Sequence, residues 1–168
     1  MVDVGVAIFK GPSMSHSENL IQDTLSELIG KPAYSLIRTH GSMFFLEIGE
    51  PRMRAGAKRE HGEWHFLIEM CAWRFDTQDA ILVASNDDQS FIDEKFNHLK
   101  LGLVETATVR APSHDLDITF SSGVRLLTFL MTGEEPQDSY IQWNLFCPDD
   151  KAWVTEGTGV LTRRSIYE

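Results

Sequence analysis

The sequence predicts an α+β fold, mainly antiparallel β, arranged as a sandwich or a partly open barrel. Short segments in which apolar and polar residues alternate are typical of half-buried strands, and turn-forming residues separate them. Two further segments carry apolar residues at helical spacing. Because one helical segment precedes each run of strands, we expect two similar helix-plus-meander halves related by pseudo-twofold symmetry.

The first half begins with a helix that the sequence places at residues 17–29. Ser15 and Glu18 have the spacing of a capping box, and Gly30 supplies a stop signal. Strands are expected at residues 34–38 and 42–48, since the apolar period changes to two.

The longest apolar run, from Gly62 to Phe75, predicts a central strand. Trp64, Phe66, Ile68 and Met70 occupy alternate positions and are expected to face the core.

The remaining elements repeat the same types in the same order. A short strand is also expected at Met1 to Phe9, and the C-terminal residues fit either a strand remnant or a tail. The later elements are a strand at residues 80–84, a helix at 88–99, and strands at 104–110, 116–120, 124–131, 139–146 and 151–155.

The two halves show self-similarity at residues 17–84 and 88–156, within one domain spanning residues 1–168. Any two β-meanders share alternation, and some of the matches between the halves arise from that alone. The recurrence of glycine, arginine and tryptophan in the same order favours a genuine duplication. The aligned pairs are Gly30 with Gly102, Arg38 with Arg110, Trp64 with Trp143, and Trp73 with Trp153.

This pattern resembles small bacterial proteins of unknown function with a duplicated unit, in which a tryptophan-bearing strand follows a hairpin. The shared pattern is L-x-G, an apolar pair and a turn with Phe or Gly, and it covers Leu28 to Trp153. The resemblance implies bacterial origin but no activity.

The composition disfavours several classes of partner. A formal net charge of −10 repels nucleic acid and anionic lipid. No apolar run reaches the roughly 20 residues that span a bilayer, and the first residues do not read as a signal peptide. We therefore expect a cytoplasmic protein with no membrane or nucleic-acid partner, in which Cys71 and Cys147 are buried free thiols.

His61, Glu63 and His65 form the sharpest chemical constellation in the sequence. Their spacing places all three on one face of a regular strand, and two imidazoles with a carboxylate suit a first-row metal ion. In the aligned second half, Gln142 and Asn144 replace Glu63 and His65. The alternative is therefore a face that is simply polar in both halves.

Basic and aromatic side chains supply further candidate binding residues. Arg38 and Arg110 fit either a symmetric anion site or ordinary strand-end ion pairs. Trp73 and Trp153 fit either the rim of a ligand pocket or the core. A basic loop could contact an acidic partner or be merely solvated, and its cations are Arg52, Arg54, Lys58 and Arg59.

From the sequence, we expect a non-catalytic module that binds a protein partner or a small ligand, such as an immunity or accessory protein that neutralises a basic partner. No cofactor is predicted. The alternative is a metal-dependent enzyme using the face with His61, Glu63 and His65. Open edge strands would also permit a homodimer.

Overall fold

A computed structural model of the protein describes residues 15–130, 140–157 and 159–167. The expected strand at Met1 to Phe9 lies outside these ranges. Half of the fold is β-structure, and every strand pair is antiparallel. The predicted α+β class is therefore confirmed.

The described residues form two helices and eleven strands, close to the predicted segments. In chain order they are α1 (His16–Ser26), β1 (Pro32–Arg38), β2 (Phe44–Arg52), β3 (His61–Ile68), β4 (Ala72–Asp76), β5 (Ile81–Ala84), α2 (Gln89–His98), β6 (Gly102–Arg110), β7 (Asp115–Phe120), β8 (Arg125–Phe129), β9 (Ile141–Phe146), β10 (Lys151–Glu156) and β11 (Val160–Ser165).

Helix α1 begins with the predicted capping box. The hydroxyl of Ser15 accepts a hydrogen bond from the Glu18 amide, and the Glu18 carboxylate accepts one from the Ser15 amide. The helix ends at Ser26, earlier than predicted, and the chain then turns through Gly30, whose φ of +82° favours glycine. Ile21 faces the core from this helix.

The strands form one open sheet in the order β11-β10-β9-β3-β2-β1-β6-β7-β8-β4-β5. Strands β1 and β6 pair only at Pro32 with Leu103 and at Ala33 with Gly102, so a short ladder joins the two parts of the sheet. Helix α1 packs beside β6, and α2 packs beside β1 and β5. Each helix thus packs against at least one strand from the other half of the sequence.

The apolar run from Gly62 to Phe75 forms two strands instead of one. Strand β3 ends at Ile68 and pairs with β2 and β9, whereas β4 pairs with β8 and β5. Met70 lies in the crossing between them and is 60% exposed. The expectation that Met70 faces the core was wrong, because strand alternation stops two residues before it.

All four tryptophans lie in the core. Trp73 is 1% exposed, and its ring packs at 4.9 Å from the ring of Phe44, with Phe75 and Phe96 nearby. Trp153 is also buried, and its indole nitrogen donates to the Thr24 hydroxyl at 3.1 Å. Of the two interpretations of Trp73 and Trp153, these positions favour core packing.

Candidate metal-binding site

Strands β2 and β3 bring Glu47, His61 and His65 together. Glu47 is the cross-strand partner of His65, and Arg52, five residues further along β2, is the partner of His61. One potential ligand atom from each of the three side chains lies within 4.8 Å of the others. The cluster thus joins two histidines predicted from the sequence to an acid that was not predicted.

Glu47 is a buried carboxylate held by several donors. It is 1% exposed, and its oxygens accept hydrogen bonds from the Gly62 amide at 2.9 Å and from His61 Nδ1 at 2.9 Å. The guanidinium of Arg59 lies 3.2 Å from the same carboxylate. These contacts fix the carboxylate and offset the cost of burying its charge.

His65 is buried between two rings. Its imidazole stacks on His61 at 4.5 Å and on Phe146 at 4.4 Å between ring centroids, and its Nδ1 has no hydrogen-bond partner within the described part of the chain. Burial, together with the positive potential of His61 and Arg54, lowers the pKa of His65 to about 3. The ring is therefore neutral at pH 7, as an imidazole ligand must be.

Two imidazoles and one carboxylate are a donor set for zinc, iron, manganese and related divalent ions. Arg59 is the cation that faces Glu47 in this structure, and 38% of its side chain is exposed. A divalent ion at the cluster would replace Arg59 as the countercharge, because this side chain can turn into solvent. Three protein ligands would leave coordination positions open.

Glu63, the acid expected at this site, lies elsewhere. Its carboxylate forms an ion pair with Lys31, and its side chain packs against Gly49. Glu47 is hard to identify as a ligand from the sequence because it lies inside the apolar strand FFLEIG. That isolated charge was the available signal, since a buried acid needs partners.

The basic loop between β2 and β3 folds back onto the protein. Arg52 donates to a carbonyl oxygen of the β9–β10 turn at 2.8 Å, and Arg54 donates to another at 3.0 Å. Arg59 contacts Glu47, which leaves Lys58 as the exposed cation of the four candidates. Three of the loop's cations thus already have contacts within the chain.

Arg38 and Arg110 contact separate acids. Arg38 forms a bidentate pair with Asp93 of α2, with distances of 2.6 and 2.7 Å. Arg110 lies 3.4 Å from Asp117 of β7. Both contacts match the strand-end ion pairs that the sequence offered as the alternative to an anion site.

Cys71 and Cys147 are expected to resist alkylation in the native protein. Burial raises the pKa of each thiol to about 12, so almost no thiolate is present at pH 8. Iodoacetamide at pH 8 should therefore leave the native mass unchanged and modify both thiols in urea, as measured by intact-mass spectrometry. Modification of either thiol under native conditions would contradict this prediction.

Comparisons with known proteins do not extend this picture. No protein-family model matches the chain, and searches of curated proteins and of solved structures also found no match. Within the described residues, neither helix is long and apolar enough to cross a membrane. The resemblance to bacterial proteins with a duplicated tryptophan unit thus stays a prediction.

Proposed function

We propose that this protein is a binding module whose ligand is a divalent transition-metal ion, held by Glu47, His61 and His65. The observation that carries the proposal is the buried, unpartnered Nδ1 of His65 within a three-ligand cluster. A buried polar nitrogen without a partner calls for an explanation, and a role as a metal ligand is one. The net charge of −10 also favours cations over anions in the vicinity of the protein.

Metal-dependent catalysis is the second candidate function. It is supported by the number of protein ligands, because a catalytic metal site commonly has three and keeps a position for water or substrate. Metal binding is the first candidate because the cluster alone can hold an ion, whereas catalysis also requires a substrate. Both metal binding and metal-dependent catalysis are compatible with the protein partner expected from the sequence.

Metal titration of the chelator-treated protein tests this function. We expect one equivalent of Zn²⁺ or Co²⁺ per chain by elemental analysis after desalting, and a Tm that rises with metal concentration. Bound Co²⁺ should also give the visible absorption of a site with nitrogen and oxygen ligands. Absence of both stoichiometric metal and a Tm shift for zinc, cobalt, manganese and iron would reject the proposal.

We also propose that the chain arose by duplication and that the halves are related by a pseudo-twofold axis between β1 and β6. Read outward from this junction, each direction gives a three-stranded meander and then strands from elsewhere in the chain: β1-β2-β3 then β9-β10-β11, and β6-β7-β8 then β4-β5. Among the described strands, β11 has no counterpart on the other side. Gly30 and Gly102 support the match with φ values of +82° and +81°. Failure of β1, β2 and β3 to superpose on β6, β7 and β8 in this order would contradict the proposal.

In this arrangement β4 corresponds to β9, so Trp73 matches Trp143. The sequence alignment had matched Trp143 with Trp64, which lies in β3, the neighbour of β9 in the sheet. The duplication proposed from the strand order therefore keeps the match of Gly30 with Gly102. It replaces the match of Trp64 with Trp143 by a match of Trp73 with Trp143.

A further inference from the structure

A second polar site lies between the β2–β3 loop and the β9–β10 turn. A cavity of about 240 Å³ opens there, close to the end of β11. Its main lining residues are Arg52, Met53, Arg54, Pro148, Asp150 and Tyr167. Two arginines at one small cavity are unusual in a chain with a net charge of −10.

Both guanidinium groups have a donor without an acceptor. The Nε atoms of Arg52 and Arg54 are buried and make no hydrogen bond within residues 15–130, 140–157 and 159–167. Arg54 is more than nine-tenths buried and is fixed by its terminal nitrogens, which donate to the carbonyl oxygens of Cys147 and Glu63. A buried donor that lacks an acceptor is costly, so an acceptor in the cavity would be favourable.

The positive charges of Arg52 and Arg54 are not fully balanced by acids among the described lining residues. Arg52 and Arg54 donate to neutral backbone carbonyls, which satisfy hydrogen bonds without neutralising charge. The acid among the described residues that line the cavity is Asp150, whose half-exposed carboxylate forms an ion pair with Arg54 at 3.7 Å. Among the described lining residues, two cations thus face one anion, and their summed charge is positive.

We infer that this cavity binds a small oxyanion, of the phosphate or carboxylate type, between Arg52 and Arg54. Guanidinium groups recognise such anions through paired N–H groups directed at two oxygens. The cavity volume suits one such group with water, rather than a nucleotide. The inference rests on residues outside the metal cluster and does not depend on the proposed metal.

The test uses the chelator-treated full chain, so that anions cannot act through a bound metal. Inorganic phosphate and acetate are titrated separately at constant ionic strength, adjusted with sodium chloride, while NMR follows the arginine Nε–H resonances. Saturable shifts of the Arg52 and Arg54 resonances are expected with at least one probe. The probe that gives saturable shifts, phosphate or acetate, identifies the type of anion. If neither probe gives saturable shifts, the inference is overturned.

Arg52→Gln and Arg163→Gln are the matched variants. Arg52 is partly exposed, so its replacement should preserve the fold while weakening anion binding about tenfold. Arg163 pairs with Asp149 outside the cavity, and its replacement should leave the dissociation constant unchanged. Equal binding by wild type and Arg52→Gln would overturn the inference.

Discussion

Replacing Glu47 with glutamine is expected to lower the affinity of the protein for Zn²⁺ by about 100-fold or more. The carboxylate supplies the single negative charge of the cluster and orients His61 through a 2.9 Å hydrogen bond. Glutamine keeps the size of the side chain but removes its negative charge. The metal therefore loses its anionic ligand, and the N–H group of His61 loses a charged hydrogen-bond acceptor. Competition titration against a metal indicator measures the change.

Glu63→Gln is the matched control for this experiment. It makes the same chemical change on a side chain that pairs with Lys31 outside the cluster, so the metal affinity should stay within about threefold of the wild-type value. Circular dichroism of both metal-free variants checks that the fold is kept. Loss of affinity in Glu63→Gln, with wild-type affinity in Glu47→Gln, would restore the site expected from the sequence.

Trp73→Ala is expected to reduce the free energy of unfolding by about 3–5 kcal/mol. Trp73 lies in an aromatic cluster with Phe44, Phe75 and Phe96, and its indole nitrogen donates to the Ser42 carbonyl at 2.8 Å. Alanine would leave a cavity among these rings and an unpaired carbonyl. Urea unfolding followed by far-UV circular dichroism gives the free energy.

Met70→Ala provides the comparison, because Met70 is a large apolar residue near Trp73 in sequence but is mostly exposed. Its replacement should change the free energy of unfolding by no more than about 0.5 kcal/mol. Comparable losses in the two variants would show that the crossing between β3 and β4 is packed, contrary to the exposure of Met70.

Local patterns in the sequence predicted most of the individual elements. The capping box formed by Ser15 and Glu18 marked the start of α1, and alternation identified the strands on either side of the Thr39–Met43 turn. These signals arise from neighbours in the chain, which is why they are readable from sequence. The pairing of β3 with β9 and of β4 with β8 joins distant segments, and alternation carries no information about it.

The candidate site was predicted in part for a related reason. His61 and His65 do come together, but Glu63 does not join them, and its carboxylate pairs with Lys31 instead. The register of β2 against β3 shifts between Ile48 and Pro51, where β2 carries the extra residue of a bulge. Spacing within one strand reveals neither feature, and Glu47 could be placed only once the β2–β3 register was known.

The strand order has a consequence for how the chain acquires its structure. Each three-stranded meander is flanked by strands from elsewhere in the chain: β9-β10-β11 follow β3, and β4-β5 follow β8. Neither half can satisfy the backbone groups along its outer meander edge by itself. Closing both ladders requires long loops to order before many of their contacts form, which slows folding and couples the halves. The β3–β9 and β4–β8 pairs thus join the early and late segments of the chain into one cooperative folding unit.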